Sequence, residues 1–184
     1  MTLRYATTVV VAATMLATAA AVGVSASEPA RAEAARAATV RSCTGGDITL
    51  SAAEKRSLDL HNGARKSRGL RALCVHPALQ KAARAYSRDM IDRDYFSHTS
   101  KDGLGPGARL RRAGYDWRLS GENIAWGSGP RGSAERTFKV WMNSPHHRSN
   151  ILDGGLREVG IGTATGAYGR HGGATMWTAD FGTR

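Results

Sequence analysis

The feature that most constrains the fold is a change of hydrophobic period late in the chain. Before it, apolar residues recur every three to four positions, as in Leu79, Ala83, Tyr86 and Met90, which is the spacing of a helix face. After Glu158 the period drops to two. Val159, Ile161 and Thr163 alternate with glycines and other residues, and Met176, Thr178 and Asp180 alternate with Trp177, Ala179 and Phe181. These are two strands, and a third is expected near Ile124. The glycine-rich residues 166–173 read as a mobile hairpin loop between the first two. Helices followed by an antiparallel sheet make an α+β fold. The chain carries no internal repeat.

The helix ends are marked locally. Ser51-Ala52-Ala53-Glu54 reads as a capping box, opening a helix over 51–68 that Gly69 closes. Ala53, Leu58, His61 and Ala64 share its inner side, and His61 and Asn62 read as packing and backbone-bonding groups. Pro77 suits the first position of a second helix, ending near Asp94. A short third helix is expected over 106–113, closed by Gly114. Ser133 caps a fourth, with Glu135 in its first turn, and Pro145 stops it.

The beginning of the chain is of another kind. Arg4 precedes an uncharged Ala/Thr/Val run over 5–24 that ends in Val24-Ser25-Ala26. Residues 1–26 read as a secretory signal peptide cut before Ser27; the alternative is an uncleaved membrane anchor. Residues 27–41, rich in Ala, Arg and Glu, read as a flexible linker, which leaves 42–184 as one domain. Cys43 and Cys74 are the only cysteines. Export exposes them to oxidising conditions, so a Cys43–Cys74 disulfide is the expectation. Neither has a matched base nearby that would mark a reactive thiol.

The formal net charge is +11, and removing residues 1–26, where Arg4 is the one charged side chain, leaves +10. Such a balance favours anionic partners such as phospholipid or a teichoic-type polymer of the cell envelope, or simply solubility. No basic helical region or Cys/His finger points to specific nucleic-acid binding.

Chemistry-bearing residues gather in three segments: His98 in Phe96-Ser97-His98, Glu122 in Gly121-Glu122-Asn123-Ile124-Ala125, and His146 and His147 after Ser144-Pro145. Two imidazoles and a carboxylate, His98, Glu122 and His147, are a donor set for Zn²⁺ or another divalent cation with one position open. Glu122 can alternatively stay off the metal as base for a bound water. The structural alternative is a hydrogen-bonded polar network joining the sheet to the helices. Ser97, His98 and Glu122 contain the residue types of a nucleophile, base and orienting acid, but no Gly-x-Ser-x-Gly elbow is present. Of the four tryptophans, Trp141 and Trp177 read as core, and Trp126 as the one facing a ligand.

These segments resemble the CAP superfamily, also called SCP/PR-1, and most closely its secreted bacterial branch. The resemblance rests on Leu60-His61-Asn62 with Arg65 and Gly69, on the segments holding His98 and Glu122, and on Trp141-Met142-Asn143-Ser144-Pro145-His146-His147-Arg148 with Asn150-Ile151-Leu152. Glu158-Val159-Gly160-Ile161-Gly162 and Trp177-Thr178-Ala179-Asp180-Phe181-Gly182 complete it. It implies an α-β-α sandwich, with a central antiparallel sheet between helical layers. It also implies a surface cleft with two His and two acidic residues that binds divalent metal. His98 and Glu122 fall on the first histidine and first glutamate of that pattern. Ser144 stands where the eukaryotic second glutamate lies, and Gly154-Gly155 where the eukaryotic second histidine lies. His147 matches the histidine of the bacterial turn, and His146 replaces its glycine.

The sequence therefore predicts a secreted, monomeric binding module. Its cleft comprises His98, Glu122, Asn123, Trp126, His146, His147 and Asp180. Its partners are divalent metal, a lipid or sterol, an anionic envelope polymer or an extracellular protein. The alternatives are a secreted metal- or carboxylate-assisted peptidase using His98, Glu122 and His147, and a charge-driven cell-wall adhesin.

Overall fold

A computed structural model describes residues 37–184. The expected signal peptide and residues 27–36 of the expected linker lie outside them. The linker's last residues do not behave as one. Ala38–Arg41 forms strand β1, paired antiparallel with β2, Asp47–Leu50. The reason is burial: Val40 packs on the core and Leu50 is buried within it. The expected disulfide is present, Cys43–Cys74, with its Cα atoms 5.5 Å apart. It fastens this ribbon to the domain.

Helix α1, Ala52–Lys66, begins at the expected capping box: the Glu54 N–H donates to Ser51 Oγ, and the Ser51 N–H to Glu54 Oε2. Strand β3, Cys74–Val75, leads into α2, Pro77–Asp92. Pro77 opens α2 after a His76 side-chain cap. Helix α3 is Pro106–Arg112, β4 is Leu119–Ser128, and a short 3₁₀ turn, Gly129–Gly132, precedes α4, Ala134–Asn143. Pro145 does more than stop α4. It is the first residue of a further helix, α5, Pro145–Leu152, for which Ser144 is the flanking cap; its fixed φ suits a helix start as well as it ends one. Strands β5, Glu158–Tyr168, and β6, His171–Thr183, close the chain.

The main sheet has the order β3-β5-β6-β4, antiparallel except for the two-residue edge β3–β5. Helices lie on both faces, as an α-β-α sandwich requires. On one face, Leu58 of α1, Trp141 of α4 and Ile151 of α5 pack with Ile161, Trp177, Ala179 and Phe181. On the other, Tyr86, Met90 and Ile91 of α2 pack with Ile124, Ala164 and Met176. Trp141 and Trp177 are core, as expected.

Of the glycines in the expected loop, Gly166, Gly172 and Gly173 belong to the strands and Gly169 is in the turn. The strands run on to a Tyr168↔His171 pair around the tight Gly169-Arg170 turn. Gly166 is a place of close approach, since a Cβ there would lie 2.4 Å from Ile91. The same holds at Gly160 and Gly162, where a Cβ would come within 2.0–2.4 Å of the α2 backbone. Helix α2 thus sits directly on β5, and its C-terminal half reaches the site.

Candidate functional site

Glu122 on β4 pairs directly with Asp180 on β6. Alternation along the strands turns both toward the α2 side, together with Ile124, Thr178 and Met176. Both are buried, Glu122 to 8% exposure and Asp180 to 2%. Since β4 is a sheet edge, its rim is free to be covered by residues 96–105 and the start of α5.

Each oxygen of Glu122 has its own partner. His98 Nδ1 donates to Oε1 at 2.7 Å, and Arg109 Nη2 donates to Oε2. Arg109 does more: its Nη1 donates to the carbonyls of His98 and Leu104, each at 2.8 Å. Its guanidinium carbon lies 3.3 Å from the centroid of the Tyr86 ring, and the Tyr86 hydroxyl donates to the Ser97 carbonyl. A single side chain therefore ties helix α3, strand β4, helix α2 and the 97–104 segment together. Arg109 is the member of this cluster that the sequence reading missed. It stands in the basic run Arg109-Arg111-Arg112, and a basic run reads as a solvated face. Its side chain is only 11% exposed.

Burial, and then the adjacent Glu122 carboxyl, push the Asp180 carboxyl well above the ordinary range. Its Oδ1 is buried without a hydrogen bond. His147, in the first turn of α5, has a buried Nδ1 without a partner. Burial, then the His98 and His146 charges, lower its pKa, so it stays a neutral imidazole. Asn123 points to the opposite face of the sheet from Glu122. Its Nδ2 donates to the His147 carbonyl, and Asn150 donates to Asn123 Oδ1. It positions α5 and does not line the cleft. His146 is exposed.

The donors expected for zinc do not converge. Among the described residues, the group of three His, Cys, Asp or Glu side chains with ligand atoms mutually within 4.8 Å is Cys43, Cys74 and Glu158, and those cysteines are bonded to each other. His98, Glu122 and His147 form no such group, and both Glu122 oxygens are engaged. The residues as placed do not fit the metal. The Ser97 hydroxyl accepts from the Thr99 N–H at 3.1 Å and has no bond to His98. Trp126, 37% exposed, stands apart, roughly 13 Å along β4 from Glu122 at the usual rise per residue. It meets Tyr168 and His171 edge-on or tilted, with ring centroids 4.9 and 5.4 Å away.

Beyond Arg109 and Tyr86, a cavity of about 340 Å³ opens between α2, α3 and the 100–104 segment. Ala82, Ala85, Tyr86, Leu104 and Ala113 give it an apolar wall. At its rim stand two acids and two cations besides Arg109. The acids are already paired: Arg93 bonds both Asp89 and Asp102. Lys81 and Arg112 form no ion pair within 4.0 Å among the described residues. Among the described residues no helix is long and apolar enough to cross a membrane.

The model of the cysteine-rich secretory protein family, CAP, matches residues 58–181. The uncharacterised protein YkwD of Bacillus subtilis is 36% identical over 138 residues, covering 75% of this chain and 50% of YkwD. The membrane protein YlbC of the same organism is 34% identical over 111 residues, covering 59% of this chain and 31% of YlbC. The chain thus spans half or less of the curated relatives it matches. Among solved structures, an extracellular SCP-domain protein from Bacillus anthracis aligns with a TM-score of 0.62 at 24% identity, over 76% of this chain and 47% of that one. An outer surface protein of Borrelia burgdorferi aligns at 0.61 and 20% identity, over 81% and 99%. These two share the fold.

Proposed function

Because the chain belongs to the CAP family of cysteine-rich secretory proteins, we propose that it is an extracellular module that binds a single-chain amphiphile with an anionic head. Its structural neighbours include an extracellular and an outer-surface protein, in line with the signal-like residues 1–26. The observation that carries the reading is the cavity beside Arg109. Its volume lies at the lower end of small-molecule sites, about 300–1,000 Å³, and its wall is apolar with a few polar groups, as such sites are. The acyl chain lies along Ala82, Ala85 and Leu104, and the head sits at Lys81 and Arg112. The two acids at the rim share Arg93, and Lys81 and Arg112 outweigh the one negative charge left over.

The His98–Glu122–Arg109 cluster then has a positioning role. It holds the 97–104 segment that walls the cavity, and no chemistry is asked of it. The metal- or carboxylate-assisted peptidase alternative, which needs His98, Glu122 and His147, is not taken up, because their donor atoms do not gather around one point and both Glu122 oxygens are engaged. Calorimetric titration with dodecanoate, beside dodecyltrimethylammonium, tests the proposal. Saturable binding of the anion only is the expected result; equal binding of both, or of neither, contradicts it.

A second reading has its own observation. A depression of about 670 Å³ is lined by Arg118, Arg157 and Arg184. Arg184 is paired with Glu158, while Arg118 and Arg157 have no ion-pair partner within 4.0 Å among the described residues. This is a place for a phosphate-bearing envelope polymer, as the adhesin alternative needs. Retention on teichoic acid that falls steeply with salt and with Arg118→Ala/Arg157→Ala supports it; retention unchanged by the double substitution removes it.

A further inference from the structure

The sequence points to a divalent ion at His98, Glu122 and His147, and the structure puts a guanidinium there. We propose that Arg109 is the resident cation of this cluster, in the place of a metal ion, and that it keeps the site closed to divalent cations. The inference is independent of what the cavity beside it takes.

The surroundings of Arg109 are those of a bound cation. Three oxygens converge on it: Glu122 Oε2 and the carbonyls of His98 and Leu104. A carboxylate and backbone carbonyls are the donors a hard divalent ion takes from a protein. Here the positive charge is covalently attached and shaped to address several acceptors at once. The Tyr86 face closes one side of it at 3.3 Å, adding an attraction that grows where water is excluded.

The same contacts exclude a metal. Glu122 Oε2 is occupied by Arg109, and Oε1 by His98 Nδ1. His98 is left with Nε2 alone as a ligand atom, on a side chain that is 50% exposed. An incoming ion would have to displace a buried guanidinium and leave it without an anion, and an unpaired buried charge is strongly unfavourable. Removing Arg109 reverses the situation. Glu122 Oε2 and the carbonyls of His98 and Leu104 would then face one another with no positive charge among them.

The test is calorimetric titration of the full chain with zinc chloride, and separately with calcium chloride. Wild type, Arg109→Lys and Arg109→Met are compared, with thermal melts in EDTA and in excess metal. The expected result is no saturable site and no melting shift in wild type or Arg109→Lys. Arg109→Met should melt lower in EDTA, gain one saturable site, and recover part of its melting temperature with metal. That site should vanish in Arg109→Met/Glu122→Ala. A folded Arg109→Met that takes up neither ion overturns the proposal. So does one-site binding by wild type that is lost in Glu122→Ala. Should Arg109→Met fail to fold, wild type and Arg109→Lys decide: absence of binding in both supports the proposal, and Glu122-dependent binding in either overturns it.

Discussion

Arg109 lies over Tyr86, its guanidinium carbon 3.3 Å from the ring centroid, and this contact joins the polar cluster to the apolar cavity. On one side of it Arg109 is held by Glu122; on the other, Tyr86 is part of the cavity wall. Disturbing the cluster should therefore disturb the cavity. Glu122→Ala leaves Arg109 buried without its anion, and is expected to cost about 3–5 kcal/mol in urea unfolding. His98→Ala removes a half-exposed partner of the same carboxylate and should cost about 1 kcal/mol or less. Equal losses in the two variants would show that Arg109 is not the partner that matters.

Arg65 is fully buried without a carboxylate partner. It donates instead to the carbonyls of Arg71, Ile151, Asp153 and Leu156, and so pins the turn between α5 and β5. Arg65→Met keeps much of the side-chain length and strands four acceptors. Each buried unsatisfied group costs about 1–3 kcal/mol, so the variant is expected to be unfolded or barely folded by circular dichroism at room temperature. A melting temperature within a few degrees of wild type would contradict this role.

His61 makes stability depend on pH. It is fully buried, and its Nδ1–H donates to the Ser57 carbonyl at 2.7 Å. Burial lowers its pKa from 6.5 to about 4, against the Ser57 bond, with Arg65 adding a little. Above pH 6.5 neither the folded nor the unfolded chain protonates it, and its contribution is full. As pH falls toward 4 the unfolded chain gains a proton that the folded one refuses. Stability then drops by about 1.4 kcal/mol per pH unit, to a total of about 3 kcal/mol. His61→Gln should flatten that part of the profile in urea titrations from pH 7 to 4. An unchanged slope would contradict a neutral buried His61.

The Cys43–Cys74 bond spans 31 residues and fastens the β1–β2 ribbon to the edge of the main sheet. Its reduction should lower stability by about 3–4 kcal/mol in the chain-entropy account. Thermal melts with and without reductant measure it, and Cys43→Ser/Cys74→Ser should match the reduced protein. A reduced chain as stable as the oxidised one would mean that the ribbon docks without help.

The sandwich was legible because its signals are local and periodic. The capping box at Ser51 and Glu54, Pro77 at a helix start, and the alternation through Asp180 each have one structural meaning. What escaped lay where one residue type has two meanings. Pro145 both ended α4 and began α5. Gly166 of β5 read as loop, because its true reason, the Ile91 side chain of α2 against it, is a contact between distant segments. Glu122, Asp180 and His98 were legible as a group worth explaining, since acids and imidazoles within apolar runs stand out, and Glu122 is indeed neighbour to both. Arg109 was not, because a buried arginine looks the same in sequence as the exposed Arg111 and Arg112 beside it. Its partners, 13 residues away at Glu122 and at the Leu104 carbonyl, meet it only after folding. Trp126 went the other way: its distance from Glu122 follows from the strand geometry once β4 is seen to run through both.

The measurement that tests the account most directly is dodecanoate binding to wild type and to Ala85→Trp. Ala85 is an exposed position of α2 on the cavity wall, so an indole there fills the space while the fold is kept. Near-ultraviolet circular dichroism and the melting temperature check that it is. Saturable binding by wild type, lost in Ala85→Trp and unaffected by Trp126→Ala, is the predicted result. Binding that survives Ala85→Trp, or that depends on Trp126 instead, would place the ligand elsewhere and contradict the account.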